Sequence, residues 1–136
     1  MVYRKYVKIC YEPIGILHTG LTGLADAPKF YTESHYSGVI EVYPAFEQGL
    51  TGLGSRDQIV VLFHFHLSQG YELLQRRRGA GEITGVFNLC SPMRPNPIGM
   101  SILKLVSIQG CKVFVEGVDM VDGTPILDIK PYTPFQ

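Results

Sequence analysis

The chain has 136 residues, of which 46% are hydrophobic and 18% are charged. A chain of that length buries one good hydrophobic core but not two, so we expect a single domain over residues 1–136. Lysine plus arginine and aspartate plus glutamate both number 12. This balance excludes a chain-wide basic field and leaves any nucleic-acid contact to a local basic patch.

Simple counts also argue against membrane proteins and disulfide-rich proteins. No apolar run approaches the roughly 18 residues of a membrane span, and the first residues form no apolar leader. We therefore expect a cytoplasmic protein with no membrane partner. Cys10, Cys90 and Cys111 are odd in number and never stand as Cys-x-x-Cys, which argues against a disulfide framework and against a metal site of the structural zinc type.

Fifteen glycines and nine prolines interrupt short apolar runs, a pattern typical of a small β-barrel or sandwich. Alternation and turn residues predict the elements of the first third of the chain. These are strands over residues 6–11, 14–17 and 38–43, a long loop over residues 19–37, and one helical turn over residues 44–49.

Residues 58–67 form the clearest predicted strand, because their side chains are apolar on both faces, as in a central strand. A strand of that length places His64 and His66 on the same face. Each imidazole is then either a hydrogen-bonded wall residue or a ligand contact. No third histidine, cysteine or carboxylate stands at a metal-binding spacing, so no metal is predicted.

A basic segment follows the central strand. Residues 71–75 fit a short helix or a short strand, and Arg76, Arg77 and Arg78 come next beside glycines. Three adjacent arginines in a glycine-rich loop suit phosphate groups, although a solvated turn has the same composition.

The most unusual stretch is residues 87–101, which we call the strap. Pro92, Pro95 and Pro97 fix the backbone and remove three amide donors, so the strap is a stiff, extended segment. Its carbonyls then lack donors within the chain, and a ligand with an exocyclic amine would supply them. A proline-stiffened surface turn is the alternative. Gly99 indicates either a positive φ or a close approach of another group.

The last part of the chain reads as a hairpin followed by a turn and a final strand. The predicted strands cover residues 101–107, 112–116 and 126–129, with turns at residues 108–111 and 119–125. The total is seven or eight strands, enough to close a small barrel.

No phosphate loop, nucleophile elbow or dinucleotide fingerprint occurs, but the strap belongs to a recognisable pair of motifs. The segment Arg94-Pro95-Asn96-Pro97-Ile98-Gly99-Met100-Ser101 and the segment from Asp122 to Tyr132 resemble the signature pair of the TrmO family of tRNA methyltransferases, also known as the YaeB or TsaA-like family. The opening Pro13-Ile14-Gly15-Ile16 and the Leu62 to His66 segment are similar to other family landmarks and stand in the family order.

This resemblance implies a mainly β fold, a small closed barrel of about seven strands with one or two short helices. It implies S-adenosyl-L-methionine as cofactor, a homodimer, and methylation of N6 of threonylcarbamoyladenosine beside the anticodon of tRNA. It also implies cofactor contacts from Pro28, His66, Leu67, Arg94, Pro95, Asn96, Pro97, Asp122, Gly123, Thr124 and Pro125.

Residue types suggest roles within that set. The Arg94 guanidinium suits the carboxylate of the cofactor, and the Asp122 carboxylate suits its ribose hydroxyls or its amino group. Arg76, Arg77, Arg78 and His64 are the expected RNA contacts. No catalytic residue is assigned, because methyl transfer from a sulfonium depends on orientation more than on acid or base groups.

The chain departs from the family pattern at three places. It has His18-Thr19-Gly20, Arg56-Asp57-Gln58 and Cys90-Ser91 where the family has Arg-Ser-Pro, Phe-Ser-His and Arg-Ser. A thiol cannot replace a guanidinium as a phosphate contact or as a bidentate donor. We expect the three positions to face the substrate. Cys90 is then either a thiol in the site or a small buried filler. Three alternative functions stay open: a non-catalytic cofactor-binding or RNA-binding module, a methyltransferase for another acceptor, and a barrel without a ligand.

Overall fold

A computed structural model of the chain describes residues 7–20, 36–77 and 81–134. Its strands are β1 (Gly15–Thr19), β2 (Ser37–Val42), β3 (Gln58–His64), β4 (Leu74–Arg76), β5 (Ile83–Gly85), β6 (Ile98–Gln109), β7 (Lys112–Glu116) and β8 (Pro125–Pro131). Short 3₁₀ helices cover Pro44–Leu50, Leu53–Ser55 and Val86–Asn88. No helix within these ranges is long and apolar enough to cross a membrane.

Six strands close into an antiparallel barrel in the order β1-β2-β7-β6-β3-β8, and β8 pairs with β1. The strands β4 and β5 form a separate two-stranded sheet, which we call the small sheet. The predicted fold class, a mainly β closed barrel with short helices, is confirmed. The described part of the barrel has six strands, against the predicted total of about seven.

The core fills the inside of the barrel because inward and outward side chains alternate along each strand. Alternate positions of β3 are buried, and the same alternation runs along β6 and β7. The side chains that are fully buried include Leu17, Ile40, Val61, Leu103 and Val113. The predicted strand over residues 112–116 matches β7 residue for residue.

Two predicted strands need correction. Residues 7–11 form no strand, because Pro13 has no N–H to donate and interrupts the ladder that would continue from β1; Tyr6 lies outside the described residues. The central strand ends at His64 rather than at residue 67, because a turn starts there: Ser68 N–H donates to the Phe65 carbonyl (3.2 Å).

Other predicted boundaries shift by a few residues. The segment at residues 71–75 is represented by β4, three residues long. The predicted loop over residues 19–37 begins and ends in strands, and residues 21–35 of it lie outside the described residues.

Gly99 is confirmed as a position of close approach. It pairs directly with Phe63 of β3, and the rings of Phe63 and Phe65 lie edge to face with centroids 5.1 Å apart. A Cβ atom on Gly99 would overlap the Phe63 ring and lie 2.8 Å from Cζ of Phe65. The missing side chain therefore lets two aromatic rings lie against the start of β6.

A buried hydrogen bond links β6 to the loop before β8. Ser101 is fully buried, and its hydroxyl donates to Oδ1 of Asp119 (2.7 Å). Burial raises the pKa of the Asp119 carboxyl, while the bonds from Ser101 and from the backbone of Asp119 oppose that shift.

We predict that Gly99→Ala lowers the free energy of unfolding by roughly 1–3 kcal/mol, because the added methyl group overpacks the aromatic contact. Urea denaturation measures the change. Gly85→Ala is the matched control, since Gly85 has φ −70° and no heavy atom within 4 Å of an added Cβ. Equal effects of the two substitutions would contradict the packing argument.

We predict that the advantage of Asp119→Asn over the wild type grows as the pH rises above 3.8, the ordinary pKa of aspartate. The native carboxyl holds its proton to a higher pH than the unfolded one, so the wild type loses stability as the pH rises towards the folded-state pKa. Asparagine keeps the acceptor for Ser101 and does not ionise. Urea denaturation of both proteins at several pH values measures the difference, and a gap that is constant with pH would show that Asp119 does not titrate as argued.

Candidate functional site

The two sequence motifs lie on either side of the last residues of β3. Phe63 pairs with Gly99 of β6 on one side and with Ile126 of β8 on the other. Neighbouring strands lie about 4.8 Å apart, so the end of the strap and the start of β8 lie about 10 Å apart across β3. Most of the strap precedes Gly99, and the turn Asp122–Pro125, which we call the aspartate turn, precedes Ile126. Both motifs therefore flank one short segment.

A β-bulge lies at the same place. The pairing of β3 with β8 shifts between Leu62 and Phe63, so that Leu62 faces Asp128 while Phe63 faces Ile126. A bulge bends its strand and turns the following residues away from the regular ladder. It therefore redirects the start of β8 beside the candidate site.

Most carbonyls of the strap are hydrogen-bonded within the protein, which corrects the prediction that they lack donors. Side chains from outside the strap supply three of the donors: Ser68 Oγ to the Pro92 carbonyl (2.9 Å), Gln75 Nε2 to the Met93 carbonyl (2.7 Å) and Arg77 Nη2 to the Asn88 carbonyl (3.2 Å). The carbonyls of Leu89, Ser91, Asn96 and Pro97 are bonded as well. The prolines remove amide donors, and side chains and neighbouring amides replace them.

Two adjacent carbonyls at the middle of the strap are different. The carbonyls of Arg94 and Pro95 accept no hydrogen bond from any described residue. Pro95 is exposed and Arg94 is half-buried. These two neighbouring oxygens are the candidate acceptors for a ligand.

The Arg94 side chain is partly committed to the strap itself. Its Nη1 donates to the carbonyls of Leu89 (2.8 Å) and Ser91 (3.2 Å). A guanidinium has five N–H donors, so the donors on Nε and Nη2 stay available to an anion. The side chain is therefore held in place before any ligand arrives.

The aspartate turn is also held by specific bonds. Asp122 Oδ1 accepts from Thr19 N–H (2.9 Å), and Gly123, at φ 84°, donates its N–H to the Leu17 carbonyl (2.8 Å). The buried Thr124 hydroxyl donates to the Val121 carbonyl (2.7 Å). Asp122 is exposed, and its Oδ2 bonds no described residue, so one carboxylate oxygen faces solvent.

The two histidines and Leu67 lie at the end of β3. His64 is the last residue of β3 and pairs with Ile98, while His66 and the exposed Leu67 lie in the turn that follows. Because the strand stops at His64, the argument that placed both imidazoles on the same face no longer applies. All three residues are nevertheless next to the strap, since Phe65 N–H donates to the Pro97 carbonyl (2.8 Å).

The basic segment lies on the small sheet. Arg76 is in β4 and its Nη1 is 3.4 Å from the Gly81 carbonyl; Arg77 Nη2 donates to the Asn88 carbonyl (3.2 Å). Gln75, in β4, joins the small sheet to the strap through its bond to the Met93 carbonyl. Arg78 and Pro28 lie outside the described residues.

Expectations about two of the three departures from the family pattern require correction. Gln58 is the first residue of β3, six positions before His64 and hence about 20 Å from it, so residues 56–58 do not face the candidate site within one chain. Cys90 is exposed, which excludes a buried filler. His18 is half-exposed on β1, with Nε2 3.8 Å from Glu41 Oε2.

Sequence reasoning missed the residues that hold the site in place, namely Ser68, Gln75, Ser101 and Asp119. Ser68, Gln75 and Asp119 lie in neither motif, Ser101 ends the first motif without an assigned role, and only the fold brings the four residues to their partners. The candidate ligand groups themselves are two carbonyl oxygens, one carboxylate oxygen and part of a guanidinium. Such a set suits a ligand that carries an amine, hydroxyl groups and a carboxylate.

Comparisons with known proteins show the family of the chain. A probable S-adenosyl-L-methionine-binding protein of Pyrococcus abyssi is 40% identical over 127 residues, which cover 93% of this chain and 69% of that protein. The tRNA (adenine(37)-N6)-methyltransferase of Mus musculus is 37% identical over 129 residues, which cover 89% of this chain and 30% of that enzyme. The crystal structure of TrmO from Pseudomonas aeruginosa superposes with a TM-score of 0.78 at 30% identity and covers 95% of this chain and 58% of that one.

The chain therefore spans less than a third of the mouse enzyme and more than half of the bacterial TrmO chain. A family model described as the tRNA-methyltransferase O N-terminal domain matches residues 16–136. That match includes both motifs that flank the end of β3. The chain belongs to the TrmO family, and what it matches there is the N-terminal domain.

Proposed function

We propose that this protein is an S-adenosyl-L-methionine-dependent methyltransferase that methylates N6 of threonylcarbamoyladenosine beside the anticodon of tRNA. The observation that carries the proposal is the position of the strap and the aspartate turn on opposite sides of the end of β3. The names of the relatives support the same reaction class. The domain acts in the cytoplasm, over residues 1–136, as a homodimer.

The groups left unpaired at the site fit the cofactor. The Arg94 and Pro95 carbonyls accept from the exocyclic amine of the adenine, and Asp122 Oδ2 accepts from the ribose hydroxyls or the amino group. The free nitrogens of Arg94 bind the carboxylate of the methionine part. The remaining cofactor contacts come from Pro28, His66, Leu67, Asn96, Pro97, Gly123, Thr124 and Pro125.

When bound, the cofactor supplies an electrophilic methyl group on a sulfonium. The protein's part is then orientation and exclusion of water, since the displacement is in line and needs no strong acid or base. The strap provides orientation because its own hydrogen bonds fix it in advance. The turn after His64 and the aspartate turn enclose the space between the two motifs.

The arginines of the small sheet are the proposed tRNA contacts. Arg77 donates to the Asn88 carbonyl of the strap, Arg76 precedes it in β4, and Arg78 follows it in the sequence. The 12 cationic and 12 anionic side chains of the chain cancel, so attraction for a polyanion depends on a local patch such as this one. His64 pairs with Ile98 at the other end of the strap. The acceptor base would approach the cofactor from the side of the small sheet.

We predict that the purified protein transfers label from methyl-labelled S-adenosyl-L-methionine to tRNA that carries threonylcarbamoyladenosine and not to tRNA that lacks it. In Asp122→Asn the cofactor dissociation constant should rise roughly 10- to 100-fold, since a hydrogen bond to a charged group contributes about 1.5–3 kcal/mol. Asparagine keeps the oxygen that accepts from Thr19, so the turn itself is preserved. Calorimetric titration gives the affinity.

Asp128→Asn is the matched control, because Asp128 lies on the same strand as the aspartate turn but pairs with Lys130 (2.8 Å). It should bind the cofactor like the wild type. Cofactor binding without label transfer to any tRNA would favour a non-catalytic binding module. Unchanged affinity in Asp122→Asn would remove Asp122 from the cofactor site.

We predict that Arg76→Ala combined with Arg77→Ala weakens tRNA binding and leaves cofactor affinity unchanged. Each phosphate contact that is lost should reduce the slope of log affinity against log salt by about 0.7–0.9. Lys104→Ala with Lys112→Ala, on the barrel wall, removes the same charge as a control. Fluorescence titration over a range of salt concentrations measures tRNA affinity and its salt slope for both double variants. An equal loss of tRNA affinity in the two would indicate a purely global charge effect.

A further inference from the structure

The segment before β1 has no regular secondary structure, is exposed and is apolar on alternate residues. Val7, Ile9 and Tyr11 are 81%, 70% and 77% exposed, and Lys8 and Cys10 stand between them. Its backbone makes no hydrogen bond to any described residue. Apolar side chains on alternate residues of an unpaired backbone are what a β-strand would show without its sheet. We call residues 7–12 the arm.

The barrel has an unfilled place for such a strand beside β8. This strand runs from Pro125 to Pro131, but β1 pairs only with Pro125 and Ile126. On its β1 side, the rest of β8 therefore has no neighbouring strand within the described ranges. Next to this free edge lies a groove of mixed lining, with Thr51, Arg56 and Asp128 beside apolar walls that include Val42, Phe46, Leu50, Leu53, Ile129 and Pro131.

Three apolar side chains on alternate residues suit the apolar walls of this groove next to a free strand edge, because strand addition pairs the backbones and buries every second side chain.

The arm does not continue into its own groove. In register, a straight extension of β1 would bring Pro13 beside Asp128, but Pro13 has no N–H to donate and interrupts the ladder. The exposure of Val7, Ile9 and Tyr11 agrees with this interruption. A proline-containing hinge that releases a strand favours exchange between two copies over closure within one.

We infer that the arm of one copy adds to the free edge of β8 in a second copy and lies in its groove. The arm leaves the barrel next to the groove, so a two-fold axis near Pro13 lets both copies exchange arms at once. The contact is then self-complementary and closed. This inference rests on the proposed homodimer and names the surface that forms it.

Cross-linking between two different variants tests the exchange. The first keeps Cys10, in the arm, as its only cysteine, by Cys90→Ser and Cys111→Ser. The second carries Gln48→Cys, on the 3₁₀ helix whose residues Phe46 and Leu50 line the groove, with all three native cysteines replaced by serine. A short bismaleimide should join the two in the mixture, and either one alone should give far less dimer.

A protein that keeps only Cys90, on the strap, replaces the Gln48→Cys protein as the control and should not cross-link to Cys10. A single chain with both Cys10 and Gln48→Cys tests the alternative: an intramolecular cross-link as the main product would show that the arm closes on its own groove and would overturn the inference.

Sedimentation velocity separates this inference from the homodimer proposal. Ile9→Asp should weaken the dimer at least tenfold, whereas Lys8→Ala, on the polar side of the arm, should change it far less. A dimer that forms without the Cys10 to Gln48→Cys cross-link would overturn arm exchange and leave the homodimer. A monomeric wild type would overturn both, while label transfer to tRNA would still decide the enzyme proposal.

Discussion

The contact between Gly99 and the rings of Phe63 and Phe65 fixes the place where the candidate site forms. Phe63 is nearly buried and pairs on both sides, with Gly99 and with Ile126. Any side chain at Gly99 would push β6 away from β3, and the strap would move with it. The same residue of β3 also sets the position of the aspartate turn through β8. The distance between the two motifs thus depends on one aromatic side chain and one missing Cβ.

The prolines that stiffen the strap leave some of its carbonyls without backbone donors, and side chains supply hydrogen bonds to them. Prolines remove amide donors from a segment that is only partly exposed. Ser68, Gln75 and Arg94 donate to its carbonyls instead. A segment held in this way needs little further ordering when a ligand binds, which favours affinity and orientation. Among the carbonyls left without a donor, those of Arg94 and Pro95 are adjacent.

Patterns that depend on local geometry could be predicted from the sequence. Alternation located β7, and the requirement for close approach at Gly99 followed from a glycine at the start of a strand. The resemblance to the family identified both motifs. Patterns that depend on partners could not be predicted in this way. The arm alternates as well as any strand in the barrel, but whether it pairs depends on Pro13 and on the short contact between β1 and β8. The carbonyl donors of the strap come from residues 68 and 75, whose position opposite it appears in no motif.

The basic residues of the small sheet link RNA binding to cofactor binding in the proposed reaction. The chain carries equal numbers of acidic and basic side chains, so the proposed attraction for tRNA depends on a local basic patch, for which the arginines of the small sheet are the candidates. That sheet has only two strands and is marginal on its own, but Gln75 of β4 bonds the Met93 carbonyl of the strap. The proposed RNA contacts are therefore bonded to the segment that carries the proposed cofactor contacts. In the proposed reaction, the position of the RNA and the position of the cofactor then depend on each other through this bond.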